Sequence, residues 1–204
     1  MVDMSVTDVH DLFAVLALVA LGGTVVMVAA RLIPSVASVR LLDGLYRVQL
    51  PFAAIVAVTA TFGSLYFSES AGWLPCRFCW FQRIFMYSSA ILLVVATFRR
   101  DRGARWYVVA LAGIGLLLSV WHNLLEHGVV EESKVCALTI PCANPNYISF
   151  GTIDVAKSSS TGVPVTLAVM AFCGFAAILA LLLTPEPLEL DTPEAEQDGQ
   201  SSAG

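Results

Sequence analysis

Four of the five cysteines fall into two pairs, Cys76-Arg77-Phe78-Cys79 and Cys136 … Cys142. Thiols spaced this closely can bridge when oxidised and part when reduced. On the oxidising side of a membrane, cysteines either staple a loop or move electrons. Pro75 precedes the first pair and an uninterrupted apolar run begins at Trp80. Proline favours the first positions of a helix, so Cys-x-x-Cys is expected to form a helix's opening turn. Unpaired N–H groups and the positive end of the dipole there favour thiolate over thiol. The second pair encloses Ala-Leu-Thr-Ile-Pro. So short a ring stabilises by only about 2 to 3 kcal/mol, which suits a bond made for exchange better than a staple.

Arg83 follows Cys79 by four residues, which places it on the same helical face, roughly 6 Å along the axis. A guanidinium there can stabilise a thiolate or donate to a ligand's carbonyl oxygen; an interfacial arginine snorkelling to headgroups is the equally open alternative. His122 and Glu126 are also four apart and share a face. They read either as a ligand-binding and proton-carrying pair or as a wet polar pair at the interface. Cys173, among Phe172, Gly174 and Phe175, reads as a small buried hydrophobe.

The elements that must position these groups are membrane helices. Hydrophobic residues make up 57% of the 204, charged residues 13%, and mean hydropathy is +0.78. The fold class expected is an all-α integral membrane protein, a four-helix transmembrane bundle with an additional N-terminal helix. The apolar stretches are Leu12–Ala30, Val48–Phe67, Trp80–Phe98, Trp106–Leu125 and Val163–Leu183. Arg31, Arg40, Arg47, Arg99, Arg100, Arg102 and Arg105, seven of the 11 basic residues, fall between the first and second and between the third and fourth stretches. By the positive-inside rule these segments are cytoplasmic, the chain runs N-out and C-in, and both cysteine pairs lie outside. Asp3, Asp8 and Asp11 lead the first stretch and Arg31 follows it, which suits a retained N-out anchor and not a cleaved signal.

The expected organisation is 1–47 as N-terminal helix and cytoplasmic loop, 48–184 as the four-helix unit, and 185–204 as a disordered acidic tail. That tail carries much of the net charge of −5. Tyr147, Phe150 and Ile153 suggest a short amphipathic surface helix within Asn146–Lys157. No basic, aromatic-interleaved patch points to nucleic acid, and neither a glycine-rich phosphate loop nor an internal repeat is present.

Cys76-x-x-Cys79 with Arg83, then Cys136 and Cys142, resembles the disulfide bond formation protein B family, DsbB and its BdbC-like relatives, over Val48 to about Leu183. That family keeps the bacterial periplasm oxidising, and the resemblance implies such a role here. The resemblance implies a protein-dithiol:quinone oxidoreductase of the bacterial cytoplasmic membrane. Its partners would be membrane lipid and an extracytoplasmic thioredoxin-fold thiol oxidase (DsbA-like), and its cofactor ubiquinone or menaquinone. By the same resemblance the partner attacks Cys136–Cys142, with Cys136 the site of the mixed disulfide, and the resulting dithiol reduces Cys76–Cys79. Cys79, as thiolate, then attacks the quinone ring or donates charge to it. Arg83, His122 and Glu126 correspond to quinone-site positions. The helix Leu12–Ala30 lies outside the family's pattern, and the loop pair is closely spaced, as in the BdbC-like branch.

Three rivals remain. Vitamin K epoxide reductase-like proteins share the ingredients, but there the loop pair precedes Cys-x-x-Cys, whereas here it follows. A four-thiolate metal site is opposed by an oxidising compartment. A structural anchor with inert disulfides predicts that Cys79 is dispensable.

Overall fold

The computed structural model describes residues 6–33, 35–131 and 165–186. Cys136, Cys142, the segment Asn146–Lys157 and the acidic tail beyond Glu186 lie outside the described residues. Within them the chain forms five helices and no strand: α1 (Val6–Leu32), α2 (Val36–Leu65), α3 (Arg77–Arg99), α4 (Arg105–Glu126) and α5 (Leu167–Leu182). In lipid a helix satisfies its backbone within one segment, so apolar runs of this length have little alternative. The first four are long and apolar enough to cross a membrane; α5, with 16 residues, is shorter. It begins where Thr166 turns extended and its hydroxyl caps the amide of Val169.

α2 starts about three turns before the expected Val48. Ser35 and Ser38 form a reciprocal capping box that nucleates it, and the helix runs on through Pro51. Arg40 and Arg47, expected in a loop, therefore stand on the first turns of α2. After Leu65 a π-helical turn, Tyr66–Ser70, carries the chain out of the helix. The amide of Ala71 reaches back to the Tyr66 carbonyl at 3.1 Å and that of Trp73 to Phe67 at 3.0 Å. Gly72 sits between them at φ +69°, a left-handed conformation that a Cβ disfavours.

α2, α3, α4 and α5 close a ring in which each packs on the next and α5 returns to α2. Small residues let them approach: Ala53 and Ala57 of α2, Ala90 and Ala96 of α3 and Ala112 of α4 are buried around Leu93, Phe175 and Ile178. Gly115 is the tightest point. A Cβ there would overlap the Phe175 ring, which is fully buried. Gly115→Ala is therefore expected to destabilise the bundle by about 1–3 kcal/mol, read as a lower midpoint in detergent unfolding. An unchanged midpoint would mean that α4 and α5 are less closely engaged there.

α1 packs chiefly along α5 and more sparsely on α2. At one end Arg31 donates to the Ala180 carbonyl at 2.7 Å and to the Thr184 hydroxyl at 3.3 Å, placing a cation on the C-terminal turn of α5. The same end holds Arg102 over the Tyr46 ring at 4.8 Å and a hydrogen bond from Tyr46 to Glu186. Near its other end Phe13 fills the notch left by Gly63 of α2.

Candidate functional site

Cys76 is the N-cap of α3. Its backbone is extended, at φ −69° and ψ 173°, and its sulfur accepts the amide N–H of Cys79 at 3.3 Å. Cys-x-x-Cys thus forms the opening turn because a sulfur takes the place of the usual capping oxygen. Both residues are reduced thiols, and Cys76 Sγ donates to Cys79 Sγ at 3.0 Å. Cys76 is buried and Cys79 half-buried. The expectation that this turn favours thiolate fails at Cys76, whose thiol is pushed up to about 12. Its hydrogen bond to Cys79 is the first cause and burial the second, both outweighing the opposing contact with His122.

α4 supplies the next group. His122 Nε2 lies 3.7 Å from Cys76 Sγ and 3.7 Å from Glu126 Oε1. Gln82 Nε2 is 3.4 Å from the other ring nitrogen, and the Phe78 ring stacks on the imidazole at 5.8 Å. Thr166, the N-cap of α5, donates to Glu126 Oε2 at 2.7 Å. The side chains of His122 and Glu126 are only 3% and 5% exposed, so the reading of a wet surface pair is wrong. The residues sit at a junction of α3, α4 and α5, which the sequence spacing does not show.

Arg83 points from α3 to α2. Its Nε donates to Ser64 Oγ at 2.9 Å and a terminal nitrogen to the Ser64 carbonyl at 3.0 Å, while Tyr87 donates to the same hydroxyl at 3.3 Å. Its guanidinium also lies 5.4 Å from the Trp80 ring centroid. This is a part-buried polar junction between helices, not a side chain reaching for headgroups.

Cys76, Cys79, Arg83, His122 and Glu126 all line one cavity of about 560 Å³. Cys136 and Cys142 fall outside the described residues. Spacing alone misses Gln82, Ser64, Thr166 and Tyr87. Gln82 carries a usable signal, an amide in an apolar helical run; the other three are joined only by folding. Cys173 is fully buried in α5 and is absent from the cavity lining. The sulfurs of Cys76 and Cys79 and a nitrogen of His122 lie within 4.8 Å of one another, close enough to hold a metal ion.

The family model for disulfide bond formation protein DsbB matches residues 46–184. A probable disulfide formation protein of Deinococcus radiodurans is 41% identical over 138 residues, 67% of this chain and 88% of its own. Disulfide bond formation protein C of Bacillus subtilis is 41% identical over 103 residues, 50% of this chain and 74% of its own. No solved structure matches. α1 lies wholly outside the matched residues, whereas every cysteine and each polar group lining the cavity lies inside them. The chain therefore belongs to the DsbB family of disulfide bond formation proteins, as a multi-pass, all-helical membrane member.

Proposed function

We propose that this protein is a membrane thiol:quinone oxidoreductase, which reoxidises an extracytoplasmic thioredoxin-fold dithiol partner through Cys136–Cys142 and then Cys76–Cys79. The observation that carries this reading is the position of the Cys76–Cys79 pair in the wall of a cavity lined by both polar and apolar side chains. His122 lies 3.7 Å from the Cys76 sulfur, Arg83 and Glu126 line the same cavity, and Ile55, Val56, Leu167 and Met170 are among its apolar lining. About 560 Å³ suits a ring-sized ligand. Arg83 offers donors to a carbonyl oxygen and His122 can carry a proton, so the residues fit a quinone. A quinone held there would supply an acceptor for two electrons and two protons.

The chain's own groups would act as follows. The partner's dithiol reduces Cys136–Cys142 and becomes a disulfide; the new loop dithiol reduces Cys76–Cys79 and is itself reoxidised. In the Cys76–Cys79 dithiol, the proton rests on Cys76 and Cys79 carries the developing negative charge, favoured by the N-terminus of α3. Arg83 adds a fixed positive charge one turn deeper. His122 stands between Cys76 and Glu126 and can relay the second proton. Reforming the Cys76–Cys79 bond releases two electrons, and the cycle balances as two thiols oxidised per quinone reduced. The seven arginines at the Arg31 and Arg102 end favour that end as cytoplasmic, in a bacterial cytoplasmic membrane, with the cysteines at the extracytoplasmic end.

A metal site is the second reading, favoured by the three clustered donors. Two thiolates bound tetrahedrally to one zinc at about 2.3 Å stand roughly 3.7 Å apart, and 3.0 Å between these sulfurs suits bond exchange better.

The test is a thiol count on fully reduced protein in detergent, by maleimide gel shift, with a benzoquinone or naphthoquinone added anaerobically. Five labelled cysteines should fall to one, Cys173, with two quinols formed per protein. Arg83→Ala should slow quinone reduction by about tenfold or more, the weight of a charged hydrogen bond, and leave exchange with a dithiol partner unchanged. Thiols that persist under quinone but are masked by stoichiometric zinc would establish the metal site instead.

A further inference from the structure

α1 is outside the family match, yet it forms part of the cavity that holds the chemistry. Phe13, Leu16, Ala17 and Ala20 line it, at the i, i+3, i+4, i+7 spacing of a single helical face. Three features fix the helix there. Arg31 caps α5 at one end; Phe13 occupies the notch at Gly63 near the other; and buried His10 and Phe67 form a ring cluster with half-buried Trp73, Phe67 stacked on Trp73 at 5.1 Å. Between these fixed ends α1 and α2 touch sparsely. The cavity wall there includes side chains that are also exposed to the outside, Leu16 at 41%, Val19 at 65% and Ile55 at 61%. The chamber is thus continuous from Cys79 to a slot between α1 and α2 on the surface that faces hydrocarbon.

We infer that this slot is the seat of the isoprenoid tail of a lipid quinone, and that Leu16, Ala17 and Ala20 set which tails fit. The inference rests on the thiol:quinone reading and adds the part of the ligand which that reading leaves unplaced. A ring held beside the cysteines must leave its tail somewhere, and an aqueous exit would cost the full apolar area of each isoprene unit. Along the slot Thr59 is the one polar side chain among Leu16, Ala17, Val19, Ala20, Ile55, Val56 and Ala60, and the outer lip already faces lipid. Small residues at 17 and 20 leave the width that a branched chain needs. A four-helix relative without α1 would offer lipid at this position instead of a wall.

The experiment measures equilibrium binding to the full-length oxidised protein in detergent, which cannot turn over, by quenching of tryptophan fluorescence; Trp73 lines the chamber. The probes are a matched pair, a 1,4-naphthoquinone with a four-isoprene tail and the same methylated ring without one. Ala17→Phe fills the slot and is expected to weaken the tailed probe about tenfold, as losing the burial of a few methylenes does, and the bare ring less than about twofold. Leu16→Ala, at a half-exposed position where folding is safe, should weaken the tailed probe by about threefold and the ring not at all. Val25→Phe, on an exposed side of α1 and outside the cavity, should affect neither. Equal losses for both probes, or none for either, in Ala17→Phe and Leu16→Ala would overturn the tail seat while leaving the quinone reading intact. Wild-type protein that binds neither probe would overturn both.

Discussion

Replacing Cys79 with Ser is expected to abolish quinone-dependent thiol oxidation, a loss of at least about 10³-fold, as when an obligatory covalent participant is removed. Chemistry and structure separate cleanly at this position. Cys79 contributes its backbone N–H to the cap of α3, and a serine there retains that N–H. Its hydroxyl cannot form a bond to sulfur that a dithiol will later cleave, so the two-electron step has no route. Cys76→Ser gives the complementary case. Serine is among the best N-cap residues, so the helix should begin as well as before or better, while the disulfide is lost. Both variants should therefore melt near the wild-type temperature and both should be inactive. The measurement is quinone absorbance under anaerobic conditions with reduced protein, alongside a thermal melt. Retained turnover in either variant would mean that the pair is inert and that the electrons take another path. Inactivity with a collapsed melt in both would return Cys76–Cys79 to a structural role.

The parts of this site legible in the sequence are those set by one helix. Pro75 and the apolar run at Trp80 locate the opening turn, and the 3.6-residue period places Arg83 on the Cys79 face and pairs His122 with Glu126. What crosses between helices is illegible. The Ser64 anchor of Arg83 is 19 residues away and the Thr166 bond to Glu126 is 40; no local pattern encodes either. The burial of His122 and Glu126 is hidden for the same reason, since their position near a predicted helix end suggests water, and only the start of α5 against them excludes it. α1 is the clearest case. A helix apolar on every side has no face to read, so its spacing says that it crosses a membrane and nothing about which neighbour it meets. The start of α2 is obscured because Arg40 and Arg47 break the hydropathy run, although Ser35 and Ser38 carry the cap in plain view.

The Cys76 thiol supplies the second large effect. Its ordinary value of 9.0 rises to about 12, so the neutral form persists to higher pH. At pH 8 the thiolate fraction falls from about one-tenth to about 10⁻⁴, so alkylation of Cys76 in the reduced protein should be about a thousandfold slower than at an ordinary cysteine. Cys79, less buried and on the accepting end of the hydrogen bond, should take the label first. The sign is tested by pH: the Cys76 rate should climb about tenfold per unit well past pH 9, where an ordinary thiol levels off. It is also tested by substitution. Cys79→Ala removes the largest cause of the rise and should speed Cys76 labelling. Burial still holds the thiol above its ordinary value in that variant, so the recovery should be partial. His122→Ala removes a contact that opposes the rise and should slow labelling further. Peptide mapping after timed iodoacetamide quenching reads all of these. Equal labelling of the two cysteines, or a Cys76 plateau near pH 9, would defeat the assignment of the proton to Cys76. Its consequence is directional. When a thiolate attacks Cys76, the sulfur expelled is Cys79, and a leaving thiolate departs faster the better it holds charge. Each exchange with the loop pair would then leave the charge on Cys79, in the cavity that Arg83 also lines.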